Sequence, residues 1–251
     1  MKQQYMTVLS VDEIADQTIE MKLQADYPSG EEVVPGQFIH IKVDSSHMLR
    51  RPISVADVRN GVWSIIFKIN GQGTDQLSKR SVGDQLDVLA PCGKGYPIAN
   101  LSFRKALLIG GGIGVPPLYY LSRKLKERGI EVVHILGFQS KDHVFYENQF
   151  SALGKTIIVT NDGTYGGKGF VTNYLHEAGE YDYYFTCGPE AMLRAVAENL
   201  CDKEGYISIE QRMGCGIGAC YACVVPTASG DGSFKKICKD GPVFCANEVA
   251  I

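Results

Sequence analysis

The chain has 251 residues, 45% of them hydrophobic and 21% charged, with a net charge of −3 from 25 basic and 28 acidic side chains. That length carries one or two core-bearing domains, and that balance excludes both an extended disordered chain and a generally basic nucleic-acid binder. The longest uncharged run, from Ala106 to Ser122, is interrupted by glycines and two prolines. Neither it nor the N-terminus reads as a bilayer span or a secretion signal, so no membrane partner and a cytoplasmic location are expected.

Residues 1–103 read as short strands, at 7–11, 18–23, 37–43, 63–69 and 85–89. Turn chemistry separates them at Pro28-Ser29-Gly30, Pro35-Gly36, Asn60-Gly61, Asn70-Gly71 and Gly83-Asp84. Asn60-Gly61 between Val58 and Val62 is a type I′ hairpin signal. Strands at this spacing with no long helix predict a small antiparallel barrel. Residues 104–209 then alternate strand and helix. The apolar run 106–109 enters a glycine loop, and Pro116-Pro117 open a helix carrying Leu118, Leu121 and Leu125 at helical spacing. Further strands are predicted at 131–138, 156–160, 181–186 and 206–209, with a helix over 189–200. This pattern predicts a parallel, doubly wound sheet. Residues 210–251 hold few large apolar side chains and five of the eight cysteines, so a bound metal group is expected to supply the missing crosslinks.

The cysteines run Cys215-x4-Cys220-x2-Cys223-x14-Cys238, the first part of which follows the plant-type [2Fe–2S] spacing. Four thiolates must converge on two irons while the chain wraps around the sulfides. Gly214, Gly216 and Gly218 permit that path and let backbone N–H groups approach the sulfurs. The competing reading is a four-cysteine zinc site, which more often uses two separated C-x2-C pairs. Cys245 falls off the pattern and is taken as a bystander, with exchange of Cys238 and Cys245 as the alternative.

Two loops suit a dinucleotide. Gly110, Gly111, Gly112 and Gly114 lie between a strand and a helix, where a pyrophosphate meets cleared space and free N–H groups. They do not make the Rossmann fingerprint, because Val115 stands at its third glycine and no clear acidic residue ends the next strand. Cys187-Gly188-Pro189 joins a second strand to a second helix, so both loops are expected at the carboxyl edge of one sheet. The Cys187 thiol itself reads equally as a small buried residue or as a group near a nicotinamide. In the barrel half, Arg51-Pro52-Ile53-Ser54 offers a guanidinium fork for a flavin pyrophosphate and a hydroxyl for the ring edge. Ile66-Phe67-Lys68 and Gly73-Thr74 follow, with Phe67 either covering a ring or filling the core.

Taken in order, RPIS, GT, GGGIGVPP and CGP resemble the ferredoxin-reductase superfamily layout. The C-terminal MGCGIGACYACVVPT and KKICKDGPVF resemble the electron-transfer subunits of two-subunit, NAD-linked dihydroorotate dehydrogenases. The resemblance implies an antiparallel barrel binding FAD (residues 1–103), a parallel α/β domain binding NAD (104–209) and a small [2Fe–2S] module (210–251). It implies FAD contacts at Arg51, Pro52, Ile53, Ser54, Ile66, Phe67, Lys68, Gly73 and Thr74, and iron ligands Cys215, Cys220, Cys223 and Cys238. It further implies a partner subunit that carries FMN and oxidises dihydroorotate in pyrimidine (UMP) biosynthesis, in a heterotetramer of two of each chain. Electrons would pass from that FMN through [2Fe–2S] and FAD to NAD+. The sequence has no eightfold βα pattern for a substrate barrel, so the chain is not expected to act on dihydroorotate alone. Two rivals remain: a flavin and iron–sulfur subunit of a ferredoxin–NAD(P) reductase or hydrogenase complex, and a zinc-stapled binding module. Gly137-Phe138-Gln139-Ser140-Lys141-Asp142 offers one lysine, one aspartate and no arginine cluster for a 2′-phosphate. NADH is therefore expected to support dye reduction well above NADPH at equal concentration; equal turnover would contradict this.

Overall fold

The computed structural model describes residues 1–25 and 33–251. The turn expected at Pro28-Ser29-Gly30 lies outside the described residues. Six strands form the first unit: β1 (Lys2–Ala15), β2 (Thr18–Ala25), β3 (Phe38–Ile41), β4 (Arg51–Arg59), β5 (Val62–Lys68) and β6 (Gln85–Cys92). A short helix, α1 (Gln72–Ser78), follows β5. The strands close into an antiparallel barrel in the order β1-β2-β5-β4-β3-β6. Strand β2 shows why: Ile19, Met21, Leu23 and Ala25 alternate inward and join Ile39, Ile41, Ile65, Phe67 and Val88 in the barrel core. Asn60 and Gly61 both take left-handed φ, 51° and 79°, and close the β4–β5 hairpin as a type I′ turn. Strand β1 is longer than its apolar pattern predicts. It pairs with β6 through its first residues and with β2 through the rest, so two backbone ladders hold residues that carry no alternation of their own.

The remaining elements are β7 (Lys105–Gly111), α2 (Val115–Glu127), β8 (Glu131–Phe138), α3 (Glu147–Ser151), β9 (Lys155–Thr160), β10 (Gly167–Lys168), β11 (Tyr183–Cys187), α4 (Glu190–Asn199) and β12 (Gly205–Ser208). After the cysteine loop come β13 (Val224–Pro226), β14 (Phe234–Lys236), α5 (Ile237–Asp240) and β15 (Val243–Cys245). The sheet order is β10-β9-β8-β7-β11-β12-β15. All its pairs are parallel except β12–β15. Ala106–Ile109 and Val132–Leu136 are buried on both faces, as central parallel strands require. The order reverses on either side of β7, so the β7–β11 crevice is the topological switch point. Strand β15 comes from the C-terminal segment, which therefore completes the edge of the α/β sheet while β13 and β14 form a separate ribbon. A 3-10 stretch, Val171–Ala178, covers one sheet face with Val171 and Ala178. Val171, Tyr174, Leu175 and Ala178 recur at helical spacing and pack on that face, an element the sequence reading did not single out.

Barrel and α/β sheet are locked by one charged cluster. Arg123 of α2 reaches Asp57 of β4 through Nη2 (2.6 Å) and Nε (2.9 Å) to the same oxygen, and Nη2 also donates to the Val58 carbonyl at 2.9 Å. Arg59 Nε holds the other Asp57 oxygen at 2.7 Å while its Nη2 donates to Tyr119 Oη at 3.0 Å. The Asp57 side chain is only 8% exposed, so removing Arg123 strands most of a buried charge. Arg123→Ala is expected to cost about 3 kcal/mol, read as a lowered midpoint in chemical denaturation of the purified protein.

Candidate redox site

Register sets the site. In the β3–β4 ladder Phe38 faces Ser54 and His40 faces Pro52, while Ile39 faces Ile53. Directly opposed residues share a face, so Ile39 and Ile53 fill the barrel and the other two pairs point outward. Against that outer face lies the C-terminal segment. Phe38 packs in one cluster with Cys92, Met213, Cys223 and Cys238. Ser54 Oγ donates to Glu210 Oε1 at 3.3 Å.

Arg51 begins β4 and spreads its guanidinium over Gly73, where any Cβ would overlap it. Arg51 and the Gly73-Thr74 pair, far apart in sequence, thus meet at one point. The Thr74 hydroxyl is committed locally: it accepts from Asn70 N–H at 2.7 Å and donates to the Gly71 carbonyl at 3.2 Å. Lys68 reaches the crevice, whereas Ile66 is buried between barrel and sheet. Phe67 is 1% exposed in the barrel core, because the inward alternation of β5 places it in the cluster with Leu77 and Met21; of the two readings left open for it, the structure shows the core one.

A cavity of about 710 Å³ opens at the switch point, within the range of cofactor sites. Its floor is Gly111, Gly112, Gly188 and Pro189. Phe138, Gln139, His143, Asn161 and Phe170 form one wall, and Thr18, Lys68 and Glu210 face it from the barrel side. Gly111 and Gly188 both press on Met192, so the two loops expected to share an edge touch each other. Gly110, Gly114 and Cys187 are absent from the lining. Gly110 packs on Val115 and Leu118, and a Cβ on Gly114 would overlap the Cys187 backbone. The Cys187 thiol is fully buried, and burial first, then the Glu210 charge, pushes it well above the usual thiol range. A thiol so placed is a protonated spacer beneath the cavity floor rather than a nucleophile.

Sequence reasoning missed Glu210. It stands exposed on the cavity wall, and desolvation there raises its pKa to about 7 against a smaller lowering by Ser54. Nothing in its neighbourhood in sequence marks it; it follows β12, whose pairing in the sheet brings the chain back to Ser54 of the barrel.

The cysteines fall as two pairs. Cys215 and Cys220 lie in thiol contact on the outer side of the loop, and Cys223 and Cys238 in contact on the buried side. Cys220 N–H and Ile217 N–H donate to Cys215 Sγ at 3.4 and 3.5 Å, and Gly218 N–H donates to Cys238 Sγ at 3.1 Å. Desolvation opposes ionisation of Cys215, but those N–H groups outweigh it and bring the thiol below its ordinary value. Cys238 is pushed up, by burial first and then by Cys223. Gly216 has φ of 68°, the left-handed turn that lets the loop double back. Lys236 pins the loop by donating to the Gly218 carbonyl at 2.7 Å while its ammonium lies 4.2 Å from the Tyr221 ring centre. Two thiol pairs with N–H groups aimed at sulfur suit a two-iron cluster, one pair to each iron, whose net negative charge those donors offset. Among the described residues, no three His, Cys, Asp or Glu side chains gather as a single ion requires. Cys245 lies on β15 opposite Tyr206 and lines a separate pocket with Cys201 and Tyr184.

Comparison with known proteins follows the same division. The family model for the iron–sulfur cluster binding domain of dihydroorotate dehydrogenase B matches residues 210–250. The dihydroorotate dehydrogenase B (NAD+) electron transfer subunit of Bacillus pumilus is 51% identical over 257 aligned positions, covering 100% of this chain and 99% of that protein. The subunit of the same name from Bacillus mycoides is 48% identical, covering 100% of both. The chain belongs to the family of dihydroorotate dehydrogenase B (NAD+) electron transfer subunits. Members of this family are components of an oxidoreductase, and the fold agrees. The solved NADH-dependent reduced ferredoxin–NADP oxidoreductase, studied for flavin-based electron bifurcation, superposes with a TM-score of 0.87 at 27% identity, over 98% of this chain and 89% of its own. The cytochrome b5 reductase domain of Ulva prolifera nitrate reductase shares the fold at a TM-score of 0.67 and 18% identity, over 80% of this chain and 93% of its own.

Cys220→Ser is expected to abolish iron binding while leaving NADH-to-dye reduction largely intact, read by iron analysis and a dye assay on one preparation. Cys245→Ser should keep full iron and Cys238→Ser should lose it; the reverse pattern would reassign the fourth ligand.

Proposed function

We propose that this chain is the NAD-reducing half of a dihydroorotate-oxidising complex. Its partner is a catalytic subunit bearing FMN, in an assembly of two of each chain within the reducing cytoplasm. The single observation that carries this reading is the common face of β3 and β4. The flavin motif lies on that ladder, the cysteine loop packs against it, and Ser54 joins it to Glu210 on the wall of the nucleotide cavity. When bound, the iron–sulfur cluster exchanges single electrons and FAD joins them to the two-electron hydride chemistry of NAD.

The chain's own residues supply positions and protons. Arg51 and Gly73 seat a pyrophosphate, and Pro52 and Ser54 line the flavin side of the ladder. Gly111, Gly112 and Gly188 keep the cavity floor free of side chains, so a dinucleotide can lie close to the backbone. Cys215, Cys220, Cys223 and Cys238 hold the cluster on the other flank of the same ladder. Among the described residues there is no (β/α)8 barrel, which leaves dihydroorotate to the partner. All eight cysteines are free thiols, in keeping with a reducing compartment. No helix among the described residues is long and apolar enough to cross a membrane. A role as a ferredoxin–NADP oxidoreductase fits the 27% identical structure, but the 51% identity over the whole chain favours the dihydroorotate complex.

Ser54 and Glu210 form a proton relay at the cavity. Below about pH 7 the Glu210 carboxyl is protonated and donates to Ser54 Oγ, which frees the Ser54 hydrogen for a group on the flavin side of the ladder. Above that pH the carboxylate accepts the Ser54 hydrogen and this donation ceases. NADH-to-dye reduction is expected to fall as pH rises through about 7. Glu210→Gln should flatten that limb, and Glu210→Ala should lower the rate ~10²-fold.

Co-expression with the FMN subunit tests the whole reading. The expected product is a yellow-brown complex containing FAD, FMN and iron that reduces NAD+ with dihydroorotate, whereas this chain alone reduces dyes with NADH only. A chain that purifies colourless, without iron or flavin even beside its partner under anaerobic conditions, would overturn it.

A further inference from the structure

His40 is a buried polar side chain that the relay above leaves unused. It lies in β3, 1% exposed, and neither ring nitrogen has a hydrogen-bond partner among the described residues. Burial first, and the neighbouring Arg50 second, hold the imidazole neutral, with its pKa lowered to about 4. A neutral imidazole carries one N–H, and a buried donor without a partner is costly. Native structures satisfy nearly all such groups, so an unsatisfied one calls for a partner that the chain itself does not supply.

The register shows where that ligand sits. Ile39 and Ile41 turn into the barrel, so His40 turns outward on the face it shares with Phe38, directly across from Pro52 of the flavin motif. Its ring edge is pressed against Gly216, and a Cβ there would overlap Nδ1. Gly216 follows Cys215 and carries the left-handed turn of the cysteine loop. The imidazole is therefore wedged between the flavin strand and the loop that wraps the iron site. The N–H donors already aimed at Cys215 and Cys238 all belong to the loop itself. His40 approaches from the barrel.

We propose that His40 is a positioning residue of the iron–sulfur site, donating its ring N–H to a sulfur of the bound cluster and raising the cluster's reduction potential. The inference rests on the iron–sulfur reading of Cys215, Cys220, Cys223 and Cys238. Its physical basis is charge: reduction adds an electron to an already negative group, and a donor at sulfur stabilises the reduced form more than the oxidised one. Because the donor is fixed to the ladder that carries Pro52 and Ser54, the same backbone sets the flavin seat and the potential of the group that exchanges electrons with it.

The test uses the complex with its catalytic partner. Iron content and visible spectrum of the wild-type complex decide the iron–sulfur reading by themselves. Given a full cluster, His40→Leu is expected to shift its midpoint potential downward in an EPR-monitored titration. His40→Gln, which keeps a side-chain N–H, should restore most of the shift, with the FAD potential unchanged in both. An unaltered cluster potential in an iron-replete His40→Leu complex, or a shift confined to the flavin, would overturn the assignment. Should His40→Leu fail to retain iron, the native complex decides. With its five histidines labelled with 15N, pulsed EPR of the reduced cluster should show a 15N coupling that His40→Gln abolishes. Absence of that coupling in the native complex would also overturn the assignment.

Discussion

The whole arrangement depends on the register of one short antiparallel pair, β3 against β4. With period-two alternation, Ile39, Ile41 and Ile53 join the barrel core, and Phe38, His40, Pro52 and Ser54 build the outer face, while Arg51, opposite Ile41 at the start of β4, is only partly buried. A slip by one residue would bury the polar set and expose the apolar one. The barrel core is thus what enforces the site, because the same hydrogen-bond ladder cannot satisfy the core without presenting Ser54 to Glu210 and His40 to Gly216.

The second organising feature is the switch point of the parallel sheet. Crossovers leave β7 in opposite directions, so the loops after β7 and β11 meet at an edge with no helix between them. Small residues let them meet closely. Gly114 accepts the Cys187 backbone where a side chain would not fit, and Gly111 and Gly188 share Met192. The result is a cavity with a backbone floor, closed on the barrel side by Lys68 and Glu210. Away from that cavity, the buried Asp57–Arg123 pair, with Arg59 on its exposed side, joins barrel to α/β sheet.

The C-terminal segment shows how a stretch poor in core residues is retained. It contributes Phe244 and Val249 to one face of the sheet and Val243 to the other, and β15 pairs with β12. Its cysteine loop is then held from three directions: by Lys236 at the Gly218 carbonyl, by Ile237 N–H at the Cys223 carbonyl (2.8 Å), and by His40 beneath Gly216.

Much of this was legible in one dimension, because some constraints are local. Cysteine spacing reports how a chain must wrap a cluster, Asn60-Gly61 reports a hairpin, and apolar runs flanked by glycine report buried parallel strands. These determined the barrel and the parallel sheet. What tertiary structure alone decided were the non-local meetings. Arg51 lies over Gly73, Ser54 meets a carboxyl 156 residues away, and His40 faces a loop that the chain reaches only after completing the sheet. It also decided which motif members face the cavity: Phe67 turned inward, and Cys187 went beneath the floor. The physical reason is that alternation and spacing encode which side of its own element a residue occupies. What lies opposite that side is set by strand order and register, and these follow from how the completed cores pack together.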